Sequence, residues 1–441
     1  MHDGTLHSRH AQVLPEWLAL YYEDPLELVS GEGRRVLASD GEEYLDFFGG
    51  LLATMIGHSI PEIVDAVRSQ AGRMFHSSTL YLIRKQVELA ERIAARAPID
   101  DPRVFFVNSG TEAVEAAMLL ASSARSSNAF LALRGSYHGR SFATVAATGI
   151  AAWRPTHYSP VQVAFLQNGH KPTSAHPDLS DEEFTRLAVA ELRETLAAAG
   201  SAPGFAGFLA EPILGAGGFL SPPPGYFRAL HAVLREEGIP FIADEVQSAW
   251  GRTGRSFFAI EAEGVRPQAI TFAKGLANGL SIGGVVAEAP LMNSITRNSI
   301  STAGGNPISM AAGLAVLDYL GDHDLQRNAD VRGEELRDGL RRIAADCAMI
   351  GDVRGLGLMN GVELVHPVHG SPAPEATLLV LEAARRRGLL IGRGGLGGNV
   401  LRITPPMTVT GAEVREALEK LEAALRDVER HYLGAESGGA S

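Results

Sequence analysis

The sequence has a single cysteine, Cys347, so the 441-residue chain can form no internal disulfide and no multi-cysteine metal site. A lone cysteine of this kind reads as a small buried residue. No apolar run comes near the roughly 20 residues needed to cross a bilayer, and the start, MHDGTLHSRH, is polar and lacks a signal-peptide core. Positive charge is also short. Lys and Arg number 39 against 51 Asp and Glu, a net charge of −12, which speaks against a nucleic-acid partner because nothing would neutralise phosphates over a broad surface. These absences lead us to expect a soluble, cytoplasmic, metal-free protein. Lysine is the scarcest basic residue: Lys85, Lys171, Lys274 and Lys420 are the only four. Arginine fills the ordinary surface roles, so a lysine kept in an apolar setting is retained for its amine rather than its charge. Lys274 is such a case, at the end of the apolar run AITFA and at the start of a glycine-rich turn.

What is present is α/β texture. Residues 27–48 read as short strands around an Asp-Gly turn. From about 60 to 320, short apolar runs (103–107, 129–133, 207–210, 240–244, 269–273 and 283–287) alternate with helical patterns such as 111–124 and 226–238. Near-continuous apolar strands interleaved with helices predict a mostly parallel sheet covered on both faces. After 330 a helix (about 323–345), two strand-like runs and a terminal helix (411–431) predict a smaller α+β domain. The expected division is an N-terminal segment, 1–60, joining a small domain, a large domain over 61–322, and a C-terminal small domain over 323–441. The first ten residues and the tail GAESGGAS are expected to be disordered.

In an open α/β sheet, ligands bind outside the carboxyl ends of the strands. Those ends carry NSGT, RGSYHGR, EPI, DEVQ and KG. Ser109, Gly110 and Thr111 precede a helix, whose free N–H groups and dipole suit an anion. Asp244 is a carboxylate at a strand end with no basic neighbour before Arg252, and Tyr137 offers a ring beside His138 and Arg140. Each has an ordinary explanation: N-cap, salt bridge or packing. Together they request a ligand with a phosphate, a planar ring, a basic ring nitrogen and an aldehyde, which describes pyridoxal phosphate. For Lys274 to act as a free amine, its pKa must fall from ~10.4, and burial can supply up to ~3–5 units.

The segments YLDFFGGLLATMIGHSIPEI, VNSGTEAVEAAM, YHGRSF, EPILGAGGF, ADEVQSAWGRTG, TFAKGLANGLSIGG, STAGGNP and LRITPP resemble, in order, those of the class III pyridoxal-phosphate aminotransferases of fold type I. That group includes the ornithine, 4-aminobutyrate and alanine–glyoxylate enzymes, and the resemblance covers roughly residues 12 to 430. It implies that Lys274 bonds to the cofactor as a Schiff base and later shuttles the proton, and that Asp244 pairs with the ring nitrogen. Val246 and Tyr137 would lie on opposite ring faces, with Gln247 at the ring hydroxyl and Gly110 and Thr111 at the phosphate. Ser109, His138 and Glu211 are further cofactor positions. Thr302 resembles a residue that reaches a phosphate from a neighbouring subunit, which implies a homodimer. Arg402 resembles the arginine that takes the substrate α-carboxylate, and Arg140 one placed for a second carboxylate. Leu51 stands where some relatives carry a tyrosine that steers ornithine. Ala216 stands where several carry a glutamate that covers the carboxylate-binding arginine.

The expectation is a transaminase that moves an amino group from an amino acid or ω-amino acid to a 2-oxo acid such as 2-oxoglutarate, pyruvate or glyoxylate, in two half-reactions. One alternative keeps the fold and cofactor but changes the reaction to an aminomutase, epimerase or decarboxylase. A second is a catalytically idle cofactor-binding protein, against which the intact pair of Lys274 and Asp244 argues. GRGGLGG (392–398) precedes an extended segment rather than a helix and so reads as a turn, not a dinucleotide loop. His366 and His369 have no third ligand nearby, so no metal is expected there.

Overall fold

The structure is a computed structural model that describes residues 5–156, 158–200 and 204–437. Its strands, in chain order, are β1 (Leu28–Glu32), β2 (Arg35–Ala38), β3 (Glu43–Asp46), β4 (Pro102–Val107), β5 (Ala129–Leu133), β6 (Gln162–Leu166), β7 (Gly207–Ala210) and β8 (Phe241–Asp244). They continue with β9 (Ala269–Ala273), β10 (Gly283–Glu288), β11 (Ile350–Leu356), β12 (Met359–Leu364), β13 (Leu389–Leu390), β14 (Gly392–Gly394) and β15 (Val400–Ile403). The central sheet has the order β4-β10-β9-β8-β7-β5-β6. Pairings among β5 to β9 are parallel, and β10 runs antiparallel to both of its neighbours.

Alternation along single strands explains why both faces of this sheet are covered. Phe130, Ala132 and Ile242 pack with Val114, Ala117 and Ala121 of the helix Gly110–Arg125. Leu131, Leu133, Phe241 and Ala243 enter the larger core on the other face. The six apolar runs read as strands are all strands. A seventh, β6, was not foreseen; it is an edge strand, mostly half-buried, and its composition mixes polar and apolar residues.

Two further sheets flank this one. β1, β2, β3 and β13 form one, in which β13 runs parallel to β3, so residues 28–46 and 389–390 share a sheet. β11, β12, β15 and β14 form the other. Here GRGGLGG supplies β14 and the turn into β15, as read from the sequence. The expected disorder at the start is corrected in part: Leu6–Val13 is a helix, capped by Thr5, whose side chain accepts from Ser8 N. The terminal helix runs over Gly411–Ser437 rather than stopping at 431. Residues 1–4 and 438–441, at the two ends of those expectations, lie outside the described residues. No helix among the described residues is long and apolar enough to cross a membrane.

Candidate active site

Because β4 and β5 to β9 all point the same way, their carboxyl ends deliver five loops to one edge of the sheet. The segments after Val107, Leu133, Ala210, Ala243 and Ala273 meet around a cavity of about 190 Å³, lined by residues that include Ser109, Gly110, Thr111, Tyr137, Glu211, Asp244 and Lys274. β10 starts at the same edge, opposite Val107 and Ala273. Its first residue must be glycine, because a Cβ on Gly283 would sit 2.2 Å from Ser109 O.

Ser109 caps the helix Gly110–Arg125, its hydroxyl accepting from Glu112 N at 3.2 Å. The N–H groups of Gly110 and Thr111, in the first turn, are left without intrahelical partners and border the cavity. Across from them, Asp244 is buried and fully engaged by donors. Its Oδ1 accepts from Val246 N and Thr271 Oγ1, both at 3.2 Å, and its Oδ2 lies 2.7 Å from His138 Nδ1. His138 Nε2 is buried with no partner. Thus His138 orients the carboxylate and also lines the cavity. Glu211 is buried and accepts from Tyr137 N and Gly215 N, at 2.8 and 2.9 Å. Desolvation pushes its carboxyl up to about 7, against the opposing pull of His138.

Lys274 lies just past β9 with φ of +44°, a left-handed conformation that a lysine rarely adopts. Strain of this kind persists where the surroundings hold it and is common at functional positions. Burial first, and the nearby Arg402 charge second, lower its amine from the ordinary 10.5 to about 8, although Asp244 and Glu211 pull the other way. Tyr137 is half-buried, its ring edge-on to Trp153 at 5.5 Å, and desolvation raises its phenol pKa. Val246 packs close to Gly110, where a Cβ would come 3.0 Å from Val246 Cγ1.

The two arginines are placed differently. Arg402, on β15, is 5 % exposed, with its guanidinium 4.7 Å over the Phe219 ring and Nη2 donating to Gln247 Oε1 at 2.7 Å. Burial pulls that guanidinium down to about 10, so it is still cationic at neutral pH. Arg140 is exposed; its backbone N donates to Thr111 Oγ1, but its guanidinium lies 5.3 Å over the Trp17 ring. Neither guanidinium belongs to the cavity lining, but Arg402 is joined to it through Gln247, which does. Thr302 is exposed in a loop tied back to Asn108 through Ser301 Oγ, and it does not line this chain's own cavity. Leu51 is half-exposed in a left-handed turn, with φ of +61°. Sequence reasoning assigned no role to Trp17, Thr271 or Phe219. Phe219 and Thr271 carried a signal, since Phe219 closes the segment EPILGAGGF and Thr271 opens TFAKGLANGLSIGG.

The family model for class III aminotransferases matches residues 21–425. The chain belongs to this family. It is 36% identical over 435 residues to alanine–glyoxylate aminotransferase 2 homolog 2, mitochondrial, from Arabidopsis thaliana, covering 96% of this chain and 87% of the relative. Among solved structures, a phospholyase from Arthrobacter in complex with phosphoethanolamine superposes with a TM-score of 0.87 at 32% identity, covering 96% of this chain and 99% of that one. An amine transaminase from an uncultivated Pseudomonas species, in its pyridoxal-phosphate-bound form, has a TM-score of 0.87 at 28% identity, covering 97% and 99%.

The cofactor of this class III aminotransferase is pyridoxal phosphate, and the residues present fit it. The free N–H groups at the helix start suit a phosphate. Asp244, held by three donors, suits a protonated ring nitrogen. An amine that titrates near 8 suits an aldehyde.

Proposed function

We propose that this aminotransferase takes amino groups from α-amino acids with one carboxylate, such as alanine, and passes them to short 2-oxo acids such as glyoxylate or pyruvate. The observation that carries this reading is that, of these two arginines, Arg402 is buried and Arg140 is exposed. Arg402 is turned inward against Gln247, while Arg140, which a second carboxylate would need, lies on Trp17. The similarity to the plant alanine–glyoxylate enzyme supports the same choice.

Bound pyridoxal phosphate supplies an aldehyde that accepts the amino group and a protonated ring that stores the electron pair left when the α-carbon loses its proton. With the cofactor bound, Lys274 Nζ would hold its aldehyde carbon and, as a free amine, would move the substrate α-proton. Its lowered pKa keeps a useful fraction of the amine unprotonated near neutral pH. Asp244 would keep the ring nitrogen protonated, with His138 fixing the carboxylate. Gly110 and Thr111 would donate to the phosphate, Tyr137 and Val246 would hold the ring, Gln247 would donate to the ring hydroxyl, and Arg402 would pair with the substrate carboxylate.

The working unit is a homodimer in this reading, with Thr302 serving the neighbouring subunit's phosphate. Exposed apolar side chains such as Phe75, Tyr81, Leu82 and Ile300 would be covered there. The division into 61–322 as the cofactor domain, with 1–60 and 323–441 forming the smaller one, belongs to the same proposal. It is supported by the sheet that joins β3 to β13. A cytoplasmic setting is also proposed, and cell fractionation tests it.

A donor and acceptor panel, scored by half-reactions, tests the function. Alanine should convert the cofactor form, and glyoxylate or pyruvate should restore it. Turnover of an amino-alcohol phosphate with phosphate release and no need for a 2-oxo acid would instead align the chain with its phospholyase neighbour.

A further inference from the structure

The Arg402 side chain is buried, yet among the described residues no carboxylate pairs with it. Its partners are a neutral amide oxygen, Gln247 Oε1, and the face of the Phe219 ring. Arg402 Nε has no partner at all. Ala216, whose carbonyl accepts from Gly395 N, carries only a methyl group and so offers no carboxylate. A buried guanidinium with spare donors retains strong affinity for an anion.

The contact with Gln247 is built rather than incidental, because two glycines clear space for it. A Cβ on Gly215 would lie 2.5 Å from Gln247 Cδ, inside the space the amide fills. A Cβ on Gly394 would lie 2.7 Å from Arg402 Cδ. Gln247 also lines the cavity with Lys274 and Asp244, so it links the arginine to that cavity.

We propose that Gln247 is a neutral latch on Arg402: its amide oxygen holds the guanidinium in the resting site and is displaced when a substrate carboxylate arrives. This rests on the reading of Arg402 as the carboxylate site and adds what sets its strength. A carboxylate can take two parallel N–H donors and brings a full charge, so it displaces a single amide oxygen readily. An apolar or neutral substrate end cannot make that exchange, and would leave the latch closed in its path. A glutamate latch would form a buried ion pair, which a substrate carboxylate could displace only at much greater cost. The amide therefore tunes the site toward carboxylate-bearing substrates.

Calorimetric titration of the holoenzyme with propionate, the carbon skeleton of alanine without its amine, tests the latch. Arg402→Ala should abolish propionate binding; binding as in the wild type would overturn the carboxylate-site reading itself. Gln247→Ala removes a competitor for the guanidinium and should tighten propionate binding by roughly 3- to 10-fold. Gln247→Glu should weaken it by roughly 10- to 100-fold. Gln247→Met fills the space without an amide oxygen and should tighten binding as alanine does; both variants are titrated at saturating pyridoxal phosphate, which keeps the site loaded despite the lost contact to the ring hydroxyl. If Arg402→Ala abolishes binding but Gln247→Ala and Gln247→Met bind propionate equally or more weakly, Gln247 merely supports the arginine and the latch is wrong.

Discussion

His138 Nδ1 lies 2.7 Å from Asp244 Oδ2, and both side chains are buried at the floor of the cavity. The imidazole and the carboxylate reach this contact from the ends of two different strands, β5 and β8. Thr271, on β9, donates to the other carboxylate oxygen. Three strands of one sheet thus set the direction of one carboxylate before any ligand arrives, so that little reorganisation is needed when charge shifts in the ring.

Asp244→Asn keeps this shape and removes the charge. Loss of the α-proton should slow by roughly 10²- to 10⁴-fold, a loss comparable to that of an acid–base group, with a smaller change in KM. Rapid-mixing measurement of the alanine half-reaction checks this. A near-wild-type rate would remove Asp244 from the ring-nitrogen role.

Reduction of the holoenzyme with borohydride should attach the cofactor to one peptide only, the one containing Lys274. Label on Lys85, Lys171 or Lys420 would refute the assignment. Lys274→Ala should abolish turnover yet still bind the cofactor, because the phosphate and ring contacts remain.

The depressed amine of Lys274 also shows in stability. In the cofactor-free protein its pKa is about 8 against an ordinary 10.5, so between these values the unfolded chain binds more protons than the folded one. Its contribution therefore becomes more favourable as pH rises through that window, and below pH 8 the full cost of a buried ammonium is present. Lys274→Met removes this cost. The cofactor-free variant should be more stable than the wild type at pH 7, by on the order of 2 kcal/mol, and the gap should close toward pH 10.5. Thermal melts across this range measure it; a constant gap would show that the amine is not depressed.

Arg402→Ala should lower kcat/KM for every α-carboxylate substrate by roughly 10- to 1000-fold, the cost of losing a buried charged pairing. Arg140→Ala should stay within a few-fold of wild type for alanine and pyruvate, since its guanidinium rests on Trp17. A loss confined to glutamate and 2-oxoglutarate in that variant would show that Arg140 swings in, and would overturn the one-carboxylate reading.

Gly283→Ala would set a methyl group 2.2 Å from Ser109 O and push the helix start, proposed to hold the phosphate, out of place. Overpacking of this sort costs about 1–3 kcal/mol. The variant should release pyridoxal phosphate roughly 5- to 100-fold more readily on dialysis. Unchanged cofactor affinity would mean that the loop absorbs the methyl group without moving the N–H donors.

The sequence by itself determined the sheet and the line of reactive groups along its edge. Apolar runs separated by helical patterns can be buried only between helices, and the polar residues that end those runs must emerge at the carboxyl edge. Hence Ser109, Tyr137, Glu211, Asp244 and Lys274 could be placed without coordinates. The half-buried edge strand β6 escaped because its pattern is neither continuous nor cleanly alternating, and the helix Leu6–Val13 because it buries no residue. Side-chain partnerships between distant segments were decided only by the tertiary structure. Arg402 turns inward to Gln247, 155 positions away, because Gly394 and Gly215 leave room and Phe219 supplies a face. Arg140, only two residues from His138, turns outward because Trp17 of the N-terminal segment offers its ring. The direction of a long charged side chain depends on which surfaces pack around it, and those surfaces come from parts of the chain that no local pattern connects.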